Sequence, residues 1–307
     1  MNKEVKNLPA SIQRRLRNKA IEQKRPAAWI QDYYANERFL YRLSRSEHCQ
    51  KFVLKGGLVF IGWGIPLRRH TKDIDFRAYT NNNLEDVVQI IKEVCLQDVE
   101  PDGIVFESDT VTAEVISEGP EYEYPGTRVH LWARLGETSR VRIKIDIGFS
   151  DEIVPKQSLI SYPTVFKDMP SPIIQGYPKE SVVAEKFHCI VFRGSINSRM
   201  KDFYDIWFIS QHFDFDGLIL QNAMVNTFNN RGTVIPVEVP VGLSDSYAKD
   251  NEQRWQAFLK TFDPDFHDIN HFKDLIQAIR VFLFPVINAI TGEVTFNSRW
   301  RAGANWS

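Results

Sequence analysis

Two adjacent glycines and three aspartates carry the strongest chemical signal in the chain. Gly56 and Gly57 follow the apolar run Phe52-Val53-Leu54, and sixteen residues after Gly57 come Asp73 and Asp75, all within FVLKGGLVFIGWGIPLRRHTKDIDF. Glycines between a strand and a helix let the backbone approach a ligand closely, and the N–H groups at a helix N-terminus can hold a triphosphate. Strand residues i and i+2 project to one face, so Asp73 and Asp75 stand side by side. Their charges repel unless a cation separates them, as Mg2+ does when bound by one or two carboxylates and substrate phosphates. Taken alone, the pair also fits solvent-facing strand residues, or caps of a turn begun at Thr71-Lys72. A third carboxylate changes that balance. In RVRIKIDIGF, residues 140–149, Val141, Ile143, Ile145 and Ile147 share one face and Arg142, Lys144 and Asp146 the other. Asp146 thus projects from a polar strand face, where it can complete a three-carboxylate, two-metal site for an in-line phosphoryl displacement.

Those residues need a sheet to hold them. The spacing predicts strands at Phe52–Leu54, Ile74–Phe76, Val111–Ile116, Val129–Leu135 and Val141–Ile147, the last three alternating apolar with polar as in a sheet covered on one face. A helical stretch is expected over Leu58–Gly64, and an amphipathic helix over Leu84–Leu96. Upstream, Ile12, Leu16 and Ala20 recur at helical spacing, and Trp29, Tyr33, Tyr34, Phe39, Leu40 and Leu43 form an aromatic stripe on a second helix, read as core. A Pro-rich connection (Pro155, Pro163, Pro170, Pro172, Pro178) precedes a helical second half. Its helices are expected at Lys179–Phe192, Met200–Phe213, Leu218–Phe228, Asn251–Phe262 and Asp268–Ile290, with Pro285 breaking or kinking the last. The layout is an α/β (α+β) protein: a basic helical arm over 1–45, a mixed-sheet core over 46–175, and a helical C-terminal lobe over 176–307.

The motif order resembles the nucleotidyltransferase superfamily of polymerase-β-like enzymes, and within it the AbiEii/AbiGii toxin family of type IV toxin-antitoxin systems. The resemblance rests on LKGG, on Arg69-x-Thr71-x-Asp73-Ile74-Asp75-Phe76, and on Ile145-Asp146-Ile147-Gly148-Phe149. It continues through Ala184-Glu185-Lys186 and Arg199-Met200-Lys201-Asp202-Phe203-Tyr204-Asp205-Ile206, and so covers about half the chain. It implies a polymerase-β-like core in which Gly56 and Gly57 form the phosphate-binding turn, Arg69 and Thr71 assist it, and Asp73, Asp75 and Asp146 hold Mg2+ or Mn2+. Many superfamily members have Gly-Ser where this chain has Gly-Gly, so backbone N–H groups must serve without a serine hydroxyl. Lys186, on a helix apolar around Val182, Val183, Phe187, Ile190 and Val191, reads by itself as a snorkelling surface lysine; the resemblance makes it a triphosphate contact. Arg199, Lys201, Asp202 and Asp205 read by themselves as a surface ion-pair ladder, with Lys201 and Asp205 at i,i+4. The resemblance turns them toward the site, with Arg199 and Lys201 binding nucleotide and Asp202 and Asp205 orienting Lys186 or binding nucleotide.

Composition excludes more than it identifies. The 307 residues carry 38 Lys+Arg against 39 Asp+Glu, so total charge names no partner. Its distribution is uneven: residues 1–51 hold 12 basic and 5 acidic side chains, net +7, and the remainder is net −8. Three scattered cysteines, Cys49, Cys95 and Cys189, exclude a disulfide framework or a four-thiolate zinc site and fit reduced thiols. The start lacks a signal-peptide core. The longest apolar stretch, Leu58–Leu67, is half a membrane span, so a cytoplasmic protein without membrane attachment is expected. No Walker or G-x-G-x-x-G motif occurs, Ser195, Ser198 and Cys189 lack a paired base, and His188 reads as a core histidine.

The expected reaction is transfer of a nucleoside monophosphate from a nucleoside triphosphate to a hydroxyl. The resemblance implies an RNA acceptor, the tRNA 3′ end, in a growth-inhibiting abortive-infection (phage-defence) toxin restrained by a cognate antitoxin encoded beside it. Arg14, Arg15, Arg17, Lys19, Lys24 and Arg25 supply RNA phosphate contacts or form a solvated helix face. A protein or small-molecule acceptor, and a catalytically silent nucleotide-binding module, are the alternatives.

Overall fold

The computed structural model describes residues 7–65, 70–116, 126–137, 139–149, 152–262 and 269–307. The expected nucleotide contact Arg69 lies outside them. The chain forms two compact units, one of residues 1–150 with 158–176 and the other of 151–157 with 177–307.

The first unit opens with α1 (Leu8–Glu22), whose N-terminus is capped by the Asn7 side chain accepting from Ala10 N at 3.1 Å. Ile12, Leu16 and Ala20 are its buried stripe. Next come α2 (Ala27–Arg45), β1 (Phe52–Lys55), α3 (Leu58–Gly62), β2 (Ile74–Ala78) and α4 (Leu84–Leu96). Strands β3 (Ile104–Ile116), β4 (Gly126–Leu135), β5 (Ser139–Gly148), β6 (Ser158–Ser161) and β7 (Ile173–Gly176) follow. Among the described residues, seven strands make one mixed sheet in the order β3-β4-β5-β2-β1-β7-β6. The β3-β4-β5 meander is antiparallel, β2 runs parallel to β5 and antiparallel to β1, and β7 runs parallel to β1. Alternation decides the faces: Val129, Leu131, Ala133, Val141, Ile143, Ile145 and Ile147 are buried, on the side packed by α2 and α4. Phe39 of α2 meets Phe106 of β3 edge-on at 5.8 Å in that layer.

Two strands lie where the sequence suggested a bare connection. Both β6 and β7 sit inside the Pro-rich stretch, and each is only four residues long. Their flanking prolines confine pairing to short segments, and β6 forms the sheet edge, the position that tolerates proline nearby.

The second unit is helical: α5 (Lys179–Arg193), α6 (Met200–His212), α7 (Gly217–Asn230), α8 (Asp245–Asp250), α9 (Glu252–Leu259) and α10 (Phe272–Thr291), with a two-residue ladder between β8 (Phe215–Asp216) and β9 (Arg299–Trp300). Pro285 neither breaks nor ends α10, which continues to Thr291. Long and apolar enough to cross a membrane by length and composition, α10 buries Leu275, Ile276, Ile279, Phe282, Leu283, Val286 and Ile287 within the unit. The stretch expected as one helix over Asn251–Phe262 is shorter, ending at Leu259, with α8 separate before it.

Candidate active site

In the first unit the sheet brings the three aspartates together. Asp75 of β2 lies opposite Lys55 of β1 on one side and opposite Asp146 of β5 on the other. Asp73 immediately precedes β2, and α2 fixes that approach. Asn36 Nδ2 donates to Lys72 O at 2.9 Å, while His70 stacks on Trp29 at 4.7 Å with its Nε2 3.0 Å from Asp32 Oδ2.

Both glycines are there because nothing larger fits. Gly56 has φ +66°, and a Cβ built on it would lie 1.9 Å from Asp75 Oδ2. A Cβ on Gly57 would lie 2.9 Å from Oγ1 and Cγ2 of Thr71. The turn is therefore pressed against Asp75 and Thr71, two members of the aspartate motif. Helix α3 beyond it has only five residues, so its dipole adds little and the turn's own N–H groups are the available anion donors.

Each end of the carboxylate row is met by a cation that the sequence reading did not single out. Lys144 Nζ lies 2.7 Å from Asp73 Oδ2 and 3.4 Å from Asp146 Oδ2, bridging the two. Burial alone would lower the Lys144 pKa, but the hydrogen bond to Asp73 and the charge of Asp146 outweigh it and raise it. Arg128 of β4 grips Asp146 with two bonds, Nε to Oδ1 at 2.8 Å and a terminal nitrogen to Oδ2 at 2.9 Å. The alternation of β5 had already placed Lys144 beside Asp146; Arg128 was hidden because its position opposite Asp146 depends on the β4–β5 register. The donor set suits a divalent cation: hard oxygen ligands on neighbouring strands, with an ammonium already held between Asp73 and Asp146 as a stand-in for positive charge.

In the second unit, Lys186 of α5 reaches two aspartates of α6, Asp202 Oδ1 at 3.0 Å and Asp205 Oδ2 at 2.8 Å. Arg199 Nε adds a bond of 2.8 Å to Asp202 Oδ2. The lysine side chain is 13% exposed and the two aspartates 2% and 1%, which separates this cluster from both a snorkelling lysine and a surface ladder. Burial by itself would neutralise these groups. For Lys186 the two carboxylates overcome it and raise the pKa; for Asp202 the Lys186 and Arg199 charges overcome it and lower the pKa. Lys201 is exposed, whereas Asp202 and Asp205 turn inward. His188 is a core histidine, with Nε2 2.9 Å from Thr233 Oγ1 and Nδ1 3.2 Å from Arg231.

A second acidic cluster escaped the sequence reading because its members are far apart in the chain. Ligand atoms of Glu47, His48 and Glu93 lie within 4.8 Å of one another. His48 Nε2 is 2.6 Å from Glu93 and its Nδ1 3.1 Å from Lys51 Nζ, so both ring nitrogens are engaged in a hydrogen-bonded network preceding β1.

No curated protein matches the chain. Among solved structures, the chain is similar to the nucleotidyltransferase toxin MenT4 of Mycobacterium tuberculosis H37Rv, at 17% identity and a TM-score of 0.48, over 93% of this chain and 99% of that one. The profile of a family described as nucleotidyl transferase AbiEii toxin, type IV toxin-antitoxin system, matches residues 38–279. That match spans the glycine turn, Asp73, Asp75, Asp146 and the Lys186 cluster, and the chain belongs to the AbiEii family of nucleotidyltransferase toxins.

Proposed function

We propose that this nucleotidyltransferase moves a nucleoside monophosphate from a nucleoside triphosphate to a hydroxyl of RNA, the tRNA 3′ end being the favoured acceptor, and so arrests growth. The observation that carries the reading is the pairing of Asp75 and Asp146 on adjoining strands, with Asp73 just before β2 tied to Asp146 through Lys144 and the Gly56-Gly57 turn pressed against Asp75. In the reaction, the acceptor oxygen bonds to the α-phosphorus, the bond from that phosphorus to the bridging α–β oxygen breaks, pyrophosphate leaves and the hydroxyl proton passes to solvent water.

The residues divide the work by chemistry. Asp73, Asp75 and Asp146 would hold Mg2+ or Mn2+, which when bound neutralises phosphoryl charge and orients the attacking and leaving oxygens. The Gly56-Gly57 N–H groups donate to phosphate oxygens, and Thr71, whose hydroxyl lies under Gly57, is placed to assist. Arg69 is assigned the same role from its motif position. From its motif position Lys186, held as a buried ammonium by Asp202 and Asp205, is assigned to the triphosphate, and Arg199 and Lys201 are assigned as further nucleotide contacts on the same ground. Catalysis by such a set is positioning and charge neutralisation.

On the N-terminal arm, Arg15 is engaged by Asp168 and lies over the Phe166 ring at 4.0 Å, and Lys19 pairs with Glu22 at 3.0 Å. Arg14, Arg17 and Lys24 are exposed and are the better candidates for RNA phosphate. The cysteines are free thiols, in keeping with a cytoplasmic toxin held by a cognate antitoxin.

The test is label transfer. Purified protein with Mg2+, each α-labelled nucleoside triphosphate in turn and total RNA is expected to label RNA, and Asp75→Ala is expected to abolish it. Labelling that persists unchanged in Asp75→Ala refutes the site. Labelling confined to protein or small molecules refutes the acceptor. Normal growth on induction of the intact protein refutes the toxin role.

A further inference from the structure

The polar face of the sheet does not end at the carboxylates. Opposite pairs on β4 and β5 continue it outward: Arg128 with Asp146, then His130 with Lys144, Trp132 with Arg142, and Arg134 with Arg140. The inner rows are partly buried, with Arg128 and Lys144 held by the aspartates and His130 Nε2 3.6 Å from Glu114, while Arg134, Arg140 and Arg142 are exposed. In these outer rows the facing acid is Glu107 of β3, opposite Trp132; it pairs with Arg140 at 2.5 Å and stands 3.7 Å from Arg134. Among the described residues of these two paired rows, three guanidinium groups stand against the one carboxylate of Glu107, so the rows are net positive in a chain whose total charge is −1. The Arg140 guanidinium carbon lies 4.5 Å over the half-buried Trp132 ring, which makes a flat, cationic, stacked surface.

We infer that this β4–β5 strip is the docking track for the single-stranded end of the RNA acceptor, an inference that rests on the RNA reading of the same site. An attacking terminal hydroxyl must arrive at the carboxylates, so the nucleotides behind it have to lie on a surface continuous with them. At about 3.4 Å per residue, Arg142 stands roughly 14 Å along β5 from Asp146, within reach of the last few nucleotides. Single strands are gripped by aromatic rings and arginine planes that stack bases, together with cations that follow the backbone. Trp132 with Arg140 supplies the first, and Arg142 with Arg134 the second. A phosphate-rich strand also matches the sign of the strip, while the aspartates beyond it accept only the hydroxyl end with its metal.

The test uses the full-length chain and 5′-labelled total tRNA. Arg142→Glu is expected to weaken tRNA binding by at least about tenfold and to reduce the salt dependence of log Kd by about one unit. Trp132→Ala is expected to weaken it by about tenfold with the salt slope unchanged. Both are expected to keep wild-type affinity for nucleoside triphosphate, and Trp132→Phe, which keeps an aromatic face for stacking, to retain tRNA binding. Wild-type tRNA affinity and labelling in Arg142→Glu and Trp132→Ala would overturn the track while leaving the RNA acceptor intact. An intact protein that labels no RNA would overturn both, and a protein acceptor whose labelling alone responds to Arg142→Glu would reassign the strip to a polypeptide.

Discussion

The Asp75 carboxylate fills the space that a side chain at position 56 would need: a Cβ on Gly56 would come within 1.9 Å of Asp75 Oδ2, and Gly56 is itself at φ +66°. One close approach thus constrains both the glycine turn and the position of a candidate metal ligand. Gly56→Ala must either expel Asp75 or unwind the turn. The expected cost is about 1–3 kcal/mol for the left-handed backbone alone, with label transfer reduced by about a hundredfold or more because the reacting groups are displaced. Thermal unfolding and transfer assays on the same preparation check both; near-wild-type transfer would show that the close approach is dispensable.

At Gly57 the obstacle is a side chain that can be removed. Gly57→Ala meets Thr71 Oγ1 and Cγ2 at 2.9 Å, whereas the Thr71 Cβ lies at 3.4 Å. Combining Gly57→Ala with Thr71→Ala is therefore expected to destabilise less than the two single changes added together, with a coupling of about 0.5–3 kcal/mol. Strict additivity in a double-mutant cycle would remove the contact from the account.

Lys144 holds the place of a cation between Asp73 and Asp146, at 2.7 and 3.4 Å. An ammonium and a divalent metal compete for the same oxygens, so Lys144→Met is expected to lower the Mg2+ concentration that half-saturates transfer. Chelation is expected to abolish transfer in both proteins. If half-saturation moves upward in the variant, Lys144 assists the metal instead of opposing it.

The parts of the site that follow from local pattern were legible in the sequence, and the parts that follow from register were not. Asp146 could be placed on a polar strand face because β5 alternates without interruption from Val141 to Ile147. Its grip by Arg128 could not, since that contact exists only once β4 and β5 are aligned. The glycine pair was visible, yet the reason for it, the Asp75 and Thr71 side chains underneath, is a contact across strand and loop. Lys186 shows the same limit: its helix looked apolar with a lysine on the edge, and only the packing of α6 against α5 turns that edge into a buried triad. Short strands flanked by proline, as in β6 and β7, carry too few residues for alternation to register.

The buried triad sets a stability window whose edges follow from the pKa directions. Asp202 is shifted below its ordinary 3.8, so its ion pair stabilises the fold above that value and is lost as pH falls through the lower folded pKa. Lys186 is shifted above its ordinary 10.5, so its contribution is complete below that value and is lost as pH rises through the higher folded pKa. Between those edges the triad gives a flat profile. Lys186→Met leaves Asp202 and Asp205 buried without their ammonium, at an expected cost of about 3–5 kcal/mol near neutral pH. The remaining carboxylates then favour protonation, so the variant is expected to regain stability as pH falls from 7 toward 4, a slope absent from this triad in the wild type. Urea unfolding across that range checks it, and nucleotide binding by the folded variant at the same pH separates loss of the triphosphate contact from loss of the fold. A Lys186→Met protein as stable as wild type at pH 7 would mean that water or a neighbouring side chain neutralises the pair, and that the lysine is retained for substrate alone.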